Sequence, residues 1–216
     1  MKQDYTEIVV ILDRSGSMQQ GRDDHEGGLQ SFVQDQETLP GDVRLTLIQF
    51  DTVDPCEILY DGVPIAEVKD IRLIPRGGTP LLDAVGLAIA HVAERLKDAS
   101  PDQVVVMIIT DGQENASREY KRDQIQKMIA EYESRGWKFL YLGADVDAFE
   151  EAQGLAIGGA AALHYHKSPQ GIHNAYLATS ANMKLSRERL QADADRDEAF
   201  DAFDYSPEQR KAAEEE

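Results

Sequence analysis

The chain alternates short apolar runs with stretches in which apolar residues recur every three or four positions. Nearly continuous apolar runs are typical of strands buried on both faces, and the longer spacing is typical of amphipathic helices. The predicted strands are 7–13, 43–51, 57–64, 103–110, 137–145 and 161–166. The predicted helices include Leu29 to Val33 after a flexible glycine segment at 26–28, the segment 77–96 with Pro80 at its start, 125–132 ending near Gly136, and 172–183.

This alternation predicts an α/β fold with a doubly wound, mostly parallel central sheet and helices on both faces. The segment 57–64, which turns at Asp61-Gly62, predicts one short antiparallel edge strand. We expect a single domain over residues 1–190. Residues 191–216 hold ten acidic and three basic side chains, which predicts an acidic and partly mobile tail. The aromatic segment 199–205 is the part of this tail that can dock on the domain.

Charge narrows the possible functions. The 216 residues carry 22 basic and 40 acidic side chains, a formal net charge of -18. Such a surface repels nucleic acid and attracts cations, including metal ions. Cys56 is the single cysteine, so no internal disulfide forms and a reducing compartment suits the chain. The start of the chain lacks an apolar leader and no run approaches the roughly 20 apolar residues of a membrane span. We therefore expect a cytoplasmic protein without membrane contact.

Oxygen-bearing side chains follow the predicted strands. Asp13, Ser15 and Ser17 come after the first strand, and Asp111 comes after the strand 103–110. Thr79 lies in the loop before the second long helix. In doubly wound sheets, sites form at the carboxyl ends of the strands where the strand order reverses. Five oxygen ligands without nitrogen or sulfur suit a hard divalent cation, and therefore predict a site for Mg²⁺ or Mn²⁺.

These three segments resemble a known family. "DRSGSM" is similar to the Asp-x-Ser-x-Ser motif of von Willebrand factor type A domains, "GGTPLLDA" to their threonine loop, and "ITDGQEN" to their third loop. One short motif is weak evidence, but three in the family's order are specific. The resemblance covers roughly residues 5 to 185. The segment "FLYLGADVDAFEEAQGLAIGGAAALHY" also resembles a compact bacterial and phage branch of the family.

The resemblance implies a Rossmann-like fold with a metal-ion-dependent adhesion site. Ser15, Ser17 and Thr79 would then touch the metal directly, and Asp13 and Asp111 would lie close to it, partly through water. A glutamate or aspartate of a partner protein would complete the metal's coordination. Related bacterial domains suggest an AAA-type ATPase or a stress-operon protein as that partner.

Several residues carry alternatives from the sequence alone. Asp13, Ser15 and Ser17 could cap the following helix instead of binding metal. Asp83 could hold a metal-bound water or a neighbouring loop, or it could be an exposed carboxylate that stabilises the helix dipole. Glu114 and Asn115 could shape the rim of the site or begin the next helix, which we favour for Asn115.

Five further side chains are polar or reactive but favour ordinary roles. Asp145 and Asp147 follow a strand and could line a partner surface, although Asp147 fits better as the cap of a short helix. His164 and His166 alternate on one strand, and no third ligand for zinc is evident beside them. Cys56 has no matched histidine and base, which argues against a nucleophile.

The favoured function is a non-enzymatic, metal-dependent protein-binding module. One alternative is a structural subunit that self-associates through the metal site or the acidic tail. Another is a metal-dependent hydrolase or phosphoryl-transfer enzyme, since oxygen-only Mg²⁺ sites serve such chemistry. The chain contains no GxxxxGK[ST] or DxDxT motif, which argues against the enzyme.

Overall fold

The computed structural model describes residues 4–144, 148–192 and 194–216. Six strands form one sheet in the order β3-β2-β1-β4-β5-β6. All neighbouring strands are parallel except β2 and β3, which are antiparallel. The strands are β1 (Tyr5–Asp13), β2 (Asp42–Phe50), β3 (Glu57–Pro64), β4 (Gln103–Thr110), β5 (Trp137–Ala144) and β6 (Ala162–Tyr165). The predicted mostly parallel sheet with one antiparallel edge strand is confirmed.

Seven α-helices surround this sheet in the described part of the chain. They are α1 (Arg22–Glu37), α2 (Leu81–Arg95), α3 (Arg122–Ser134), α4 (Ala148–Gly154), α5 (Pro169–Gln191), α6 (Arg196–Phe200) and α7 (Pro207–Ala213). Helix α1 packs against α5, and α2 packs against α3. Every residue of β1 and of β4 is buried. Because side chains of a strand alternate between its two faces, both faces of the central strands are covered by these helices.

The segment 26–28 corrects one prediction. We expected this segment to be flexible and to precede a helix, but α1 starts at Arg22 and runs through Gly27 and Gly28. A Cβ atom on Gly28 would lie 2.3 Å from Cδ2 of Tyr176 in α5, whereas nothing lies within 4 Å of a Cβ on Gly27. Gly28 therefore allows the two helices to approach closely, which is a tertiary reason for a residue that usually weakens a helix.

Residues 196–213 pack on the domain. Phe203 and Tyr205 are buried, which confirms the expected docking of the aromatic segment, while Phe200 is partly buried. The backbone amide of His166, just beyond β6, donates to the carbonyl oxygen of Ala213 at 2.8 Å. The mobility expected for this tail stays a prediction. In the described ranges, no helix has the length and apolar character needed to cross a membrane.

Candidate metal centre

The ends of β1 and β4 bring the two predicted carboxylates together. These strands are parallel neighbours, with Leu12 opposite Ile109, so Asp13 and Asp111 leave the sheet side by side. The strand order reverses at this pair, because β2 lies on one side of β1 and β5 lies beyond β4. Such a reversal leaves a crevice outside the carboxyl ends of the strands. The predicted position of the site is therefore the one that the fold provides.

Asp13 is fully buried and is held by neutral donors. The backbone amide of Ser15 donates to its Oδ1 at 2.6 Å, and the hydroxyl of Thr110 donates to its Oδ2 at 2.6 Å. Burial raises the pKa of Asp13 to about 6, and the charge of Asp111 adds to this rise, although the hydrogen bonds from Thr110 and Ser15 oppose it. A bound cation would relieve this cost, since an opposite charge favours the ionised carboxylate.

The two serines turn back towards the carboxylates. Residues Gly16–Gln19 form a short 3₁₀ helix, and the hydroxyls of Ser15 and Ser17 lie 2.9 Å apart. Ser17 also donates its hydroxyl to Oδ1 of Asp111 at 2.5 Å. Ser15 makes no side-chain cap on the 3₁₀ helix, and the N-cap of α1 is Gly21. The capping alternative for this segment therefore has no support in the observed contacts.

Thr79 completes a ring of oxygen atoms around Gly112. A Cβ atom on Gly112 would lie 3.1 Å from Oγ1 of Thr79, 3.5 Å from Oγ of Ser17 and 3.9 Å from Oδ2 of Asp13. These three oxygens come from two loops, the first loop after β1 and the threonine loop, and they surround one small space that a glycine leaves open. Oδ2 of Asp111 is buried and lies 3.1 Å from Nζ of Lys167. The structure thus brings all five predicted residues together, and their oxygens fit a hard divalent cation.

A carboxylate framework holds the third loop against the threonine loop. Asp83 is buried and accepts hydrogen bonds from the backbone amides of Arg118, Glu119 and Tyr120 at 2.7–2.9 Å. Of the alternatives for Asp83, the structure therefore supports the one in which it holds a neighbouring loop. The exposed helix-dipole alternative is wrong, because Asp83 is only 4% exposed.

Glu114 and Asn115 serve the same framework. Glu114 accepts the amide of Leu82 in α2 at 2.9 Å, and Asn115 accepts the amide of Thr79 at 3.0 Å. The preference for Asn115 as the beginning of the next helix is wrong, since α3 begins at Arg122. Both side chains instead position the loop that carries Thr79. The partners are 32 and 36 residues apart along the chain, which explains why local sequence gave no sign of the contacts.

A partly buried ion-pair network missed by the sequence analysis supports the first loop. Arg14 and Arg76 each donate from Nε to Oδ2 of Asp51 at 2.7 Å, and Arg14 also pairs with Glu57. The backbone is joined at the same place, since the amide of Gly16 donates to the carbonyl oxygen of Gly77 at 3.1 Å. Asp51 follows an apolar strand just as Asp13 and Asp111 do, and this repeated pattern could have identified it.

The remaining predicted residues lie apart from this site or outside the described residues. Asp145 and Asp147 lie outside the described residues. His164 lies 4.0 Å from Glu214, and no group of three or more His, Cys, Asp or Glu side chains suited to a metal occurs in the described part of the chain. Burial, followed by the charge of Asp54, raises the pKa of the Cys56 thiol to about 11, which disfavours the nucleophilic thiolate.

Solved structures share this fold at low sequence identity. Proximal thread matrix protein 1 from the mussel byssus, in a structure with a zinc-occupied MIDAS motif, is 14% identical, with a TM-score of 0.60 over 82% of this chain and 45% of that one. The von Willebrand factor type A protein from Catenulispora acidiphila is 17% identical, with a TM-score of 0.56 over 82% and 42%. The chain thus spans less than half the length of these proteins.

A third structure, the SpRpn10 VWA domain, is 10% identical, with a TM-score of 0.55 over 80% of this chain and 93% of that one. A comparison with curated protein sequences finds no match. The narrower likeness to a bacterial and phage branch stays a prediction. The family model of the von Willebrand factor type A domain matches residues 7–174, most of the chain. This protein belongs to the von Willebrand factor type A domain family.

Proposed function

We propose that the chain is a protein-binding module whose partner is captured through a divalent metal ion. The ion would be held by Asp13, Ser15, Ser17, Thr79 and Asp111. The observation that carries this proposal is the ring of oxygens around Gly112, to which separate loops contribute. The VWA family membership and the zinc-occupied MIDAS motif of the mussel protein support it.

The charges of the site explain how a metal would recruit a partner. Two carboxylates only partly neutralise a divalent ion when they act partly through water, and the three hydroxyls add no charge, so the bound ion keeps its attraction for a further anionic ligand. When bound, the ion supplies a Lewis-acidic position for a carboxylate from outside the chain. An aspartate or glutamate of a partner protein is the expected ligand. The chain's own side chains orient the ion and need not change the partner chemically.

The donor set favours Mg²⁺ or Mn²⁺ over softer ions. Each of the five residues offers oxygen, whereas zinc sites usually include nitrogen or sulfur ligands. The zinc in the mussel protein shows that a MIDAS motif accepts that ion too, so Zn²⁺ belongs in the same titration. We expect the cellular concentrations of Mg²⁺ and Mn²⁺, rather than a difference in intrinsic affinity, to decide which ion occupies the site.

The wider biological setting stays a prediction. We expect a non-enzymatic role in the cytoplasm, with an AAA-type ATPase or a stress-operon protein as partner and without nucleic-acid or membrane contact. Self-association through the metal site or the acidic tail is the alternative. It predicts a molecular mass that depends on concentration and on EDTA.

Calorimetric titration of Mg²⁺, Mn²⁺ and Zn²⁺ into the EDTA-stripped chain tests the proposal. Ser17→Ala removes one hydroxyl of the ring, and Ser31→Ala, at an exposed position of α1, is the matched control. We expect one-site binding in the wild type and in Ser31→Ala, with affinity reduced at least about tenfold in Ser17→Ala. Pull-downs with and without EDTA then test partner capture.

The proposal fails if the folded chain binds none of the three ions at millimolar concentration and its capture of partners is also insensitive to EDTA. It also fails if Ser17→Ala and Ser31→Ala bind equally well, because the ion would then lie elsewhere. Capture of a partner that is insensitive to EDTA would support a metal-free binding surface instead.

A further inference from the structure

A lysine lies directly against the candidate metal centre. Lys167 follows β6, two strands away from β4, and its Nζ atom lies 3.1 Å from Oδ2 of Asp111. The side chain of Lys167 is 14% exposed and that of Asp111 is 1% exposed. This pair is therefore shielded from water, unlike ordinary surface ion pairs that salt screens. The sequence analysis did not select Lys167, because no local pattern connects it with the site.

The loop that carries Lys167 is fixed on both sides. The amide of His166 donates to the carbonyl oxygen of Ala213 at 2.8 Å. The hydroxyl of Ser168 donates to the backbone carbonyl oxygen of Glu215 at 2.7 Å. Ser168 also caps α5 by accepting the amide of Gly171. The C-terminal segment thereby anchors the residues before and after Lys167. The ammonium group is held at the site by the fold and is not a chance contact of a long surface side chain.

The position of this ammonium group matters for a second cation. Oδ1 of Asp111 already accepts the hydroxyl of Ser17, and Oδ2 faces Lys167. The two buried carboxylates carry two negative charges, and Lys167 neutralises one of them. A divalent ion arriving beside Asp111 meets a positive charge at short range in a poorly solvated place, where repulsion is strong.

We propose that the ammonium group of Lys167 competes with the divalent ion for Asp111 and thereby weakens metal binding in the free protein. This inference rests on the proposed function. Lys167 must move away from Asp111, or remain at an electrostatic cost, when the ion binds. The chain would then hold the metal firmly only when a partner carboxylate adds negative charge to the same place.

The test is calorimetry of Mg²⁺ and Mn²⁺ on the full EDTA-stripped chain with three variants. Lys167→Met keeps an unbranched side chain of nearly the same length and removes its charge, whereas Lys167→Arg keeps the charge. Lys184→Met is the control for overall charge. Nζ of Lys184 lies 3.2 Å from Oδ1 of Asp35, and this pair lies away from the site. We expect Lys167→Met to bind about tenfold to 100-fold more tightly than the wild type. Lys167→Arg and Lys184→Met should stay within about threefold of the wild type.

Thermal unfolding provides a second readout. In EDTA, Lys167→Met should unfold at a lower temperature than the wild type, because Asp13 and Asp111 then repel each other without a counter-ion. Saturating Mg²⁺ should remove that difference. A circular dichroism spectrum equal to that of the wild type shows that the variant is folded.

Every other result overturns either the competition by Lys167 or the proposed function. Equal affinity of Lys167→Met and the wild type overturns the competition while leaving the proposed function intact, as does loss of binding in Lys167→Met. Equal tightening in Lys184→Met assigns the effect to overall charge. Failure of the wild type, Lys167→Met and Lys167→Arg to bind any metal overturns the proposed function and the competition together.

Discussion

Asp13 and Asp51 occupy equivalent places and have opposite surroundings. Each directly follows or ends an apolar strand, the two strands are parallel neighbours, and each side chain is fully buried. Asp51 accepts hydrogen bonds from the guanidinium groups of Arg14 and Arg76 and from the amide of Val53. Asp13 accepts hydrogen bonds from an amide and a hydroxyl, which carry no charge.

The pKa values of the two carboxyl groups follow this difference. Burial alone would raise the pKa of Asp51, but hydrogen bonds from Arg76 and from the amides of Asp54 and Val53, with the charge of Arg14, bring it below its ordinary value. Burial raises the pKa of Asp13 to about 6. Asp51 is thus a structural anion whose charge is neutralised by arginines, whereas the buried charge of Asp13 would be stabilised by a bound cation. Of these two strand-terminal aspartates, only Asp13 lacks a charged partner, which makes it the candidate metal ligand of the two.

Asp51→Asn should have the largest effect on stability. It leaves Arg14, which is 5% exposed, without its buried counter-ion, and loss of one partner of a buried pair costs about 3–5 kcal/mol. Urea unfolding followed by circular dichroism measures this loss. If the variant is as stable as the wild type, the view of Asp51 as a structural anion is wrong.

Asp13→Asn should change stability in the opposite direction. At pH 8 without metal, the ionised Asp13 opposes folding because its pKa is raised, so its removal should stabilise the chain by about 1–3 kcal/mol. Metal binding should fall by about 100-fold or more, since the variant loses one of two carboxylates. Urea unfolding in EDTA and calorimetry measure the two effects. A destabilised variant that retains metal affinity would reverse the comparison.

The stability difference between the wild type and Asp13→Asn should depend on pH. The folded pKa of Asp13 is about 6 and lies above its ordinary value of 3.8. The stabilising contribution of this raised pKa is therefore fully present below about pH 4 and is lost as the pH rises to about 6. The advantage of Asp13→Asn should accordingly disappear between pH 6 and pH 4. Unfolding curves in EDTA across this range would contradict the assignment if the difference stayed constant.

The smallest predicted effect concerns His25, which lies behind the site. Burial, followed by the positive charge of Lys167, lowers the pKa of His25 to about 4. Lys167→Met should raise this pKa, because one opposing charge is removed while burial is unchanged. NMR titration of the His25 ring protons measures the change, with Lys184→Met as the control. If the pKa of His25 is the same in Lys167→Met as in the wild type, the ammonium group of Lys167 lies farther from the site in solution.

The strands and the five candidate ligands could be predicted because their signals are local. Apolar runs mark β1 and β4, and oxygen-bearing residues follow these strands within a few positions. Fold-level rules then place the strand ends together. The course of α1 through Gly28 could not be predicted in this way, since the benefit of that glycine depends on Tyr176, about 150 residues away.

The side chains that hold the loops of the site could not be predicted from local sequence patterns either. Asp83 was ambiguous because a carboxylate in the first turn of a helix can stabilise the helix dipole as well as bind a distant loop. Asn115 was assigned to a helix that begins seven residues later. In both cases the side chain bonds to backbone amides that only the folded chain brings near.

The sequence by itself determined the order of strands and helices, the α/β class and which oxygens would reach the carboxyl edge of the sheet. These properties follow from periodic burial and from the short distance along the chain between a strand and the loop that follows it. Only the tertiary structure decided that Asp51 is neutralised by arginines, that Asp83 and Asn115 fix the loops, and that Lys167 faces Asp111. The electrostatic character of a buried carboxylate depends on charges that are close in space, and most of those charges are distant in sequence.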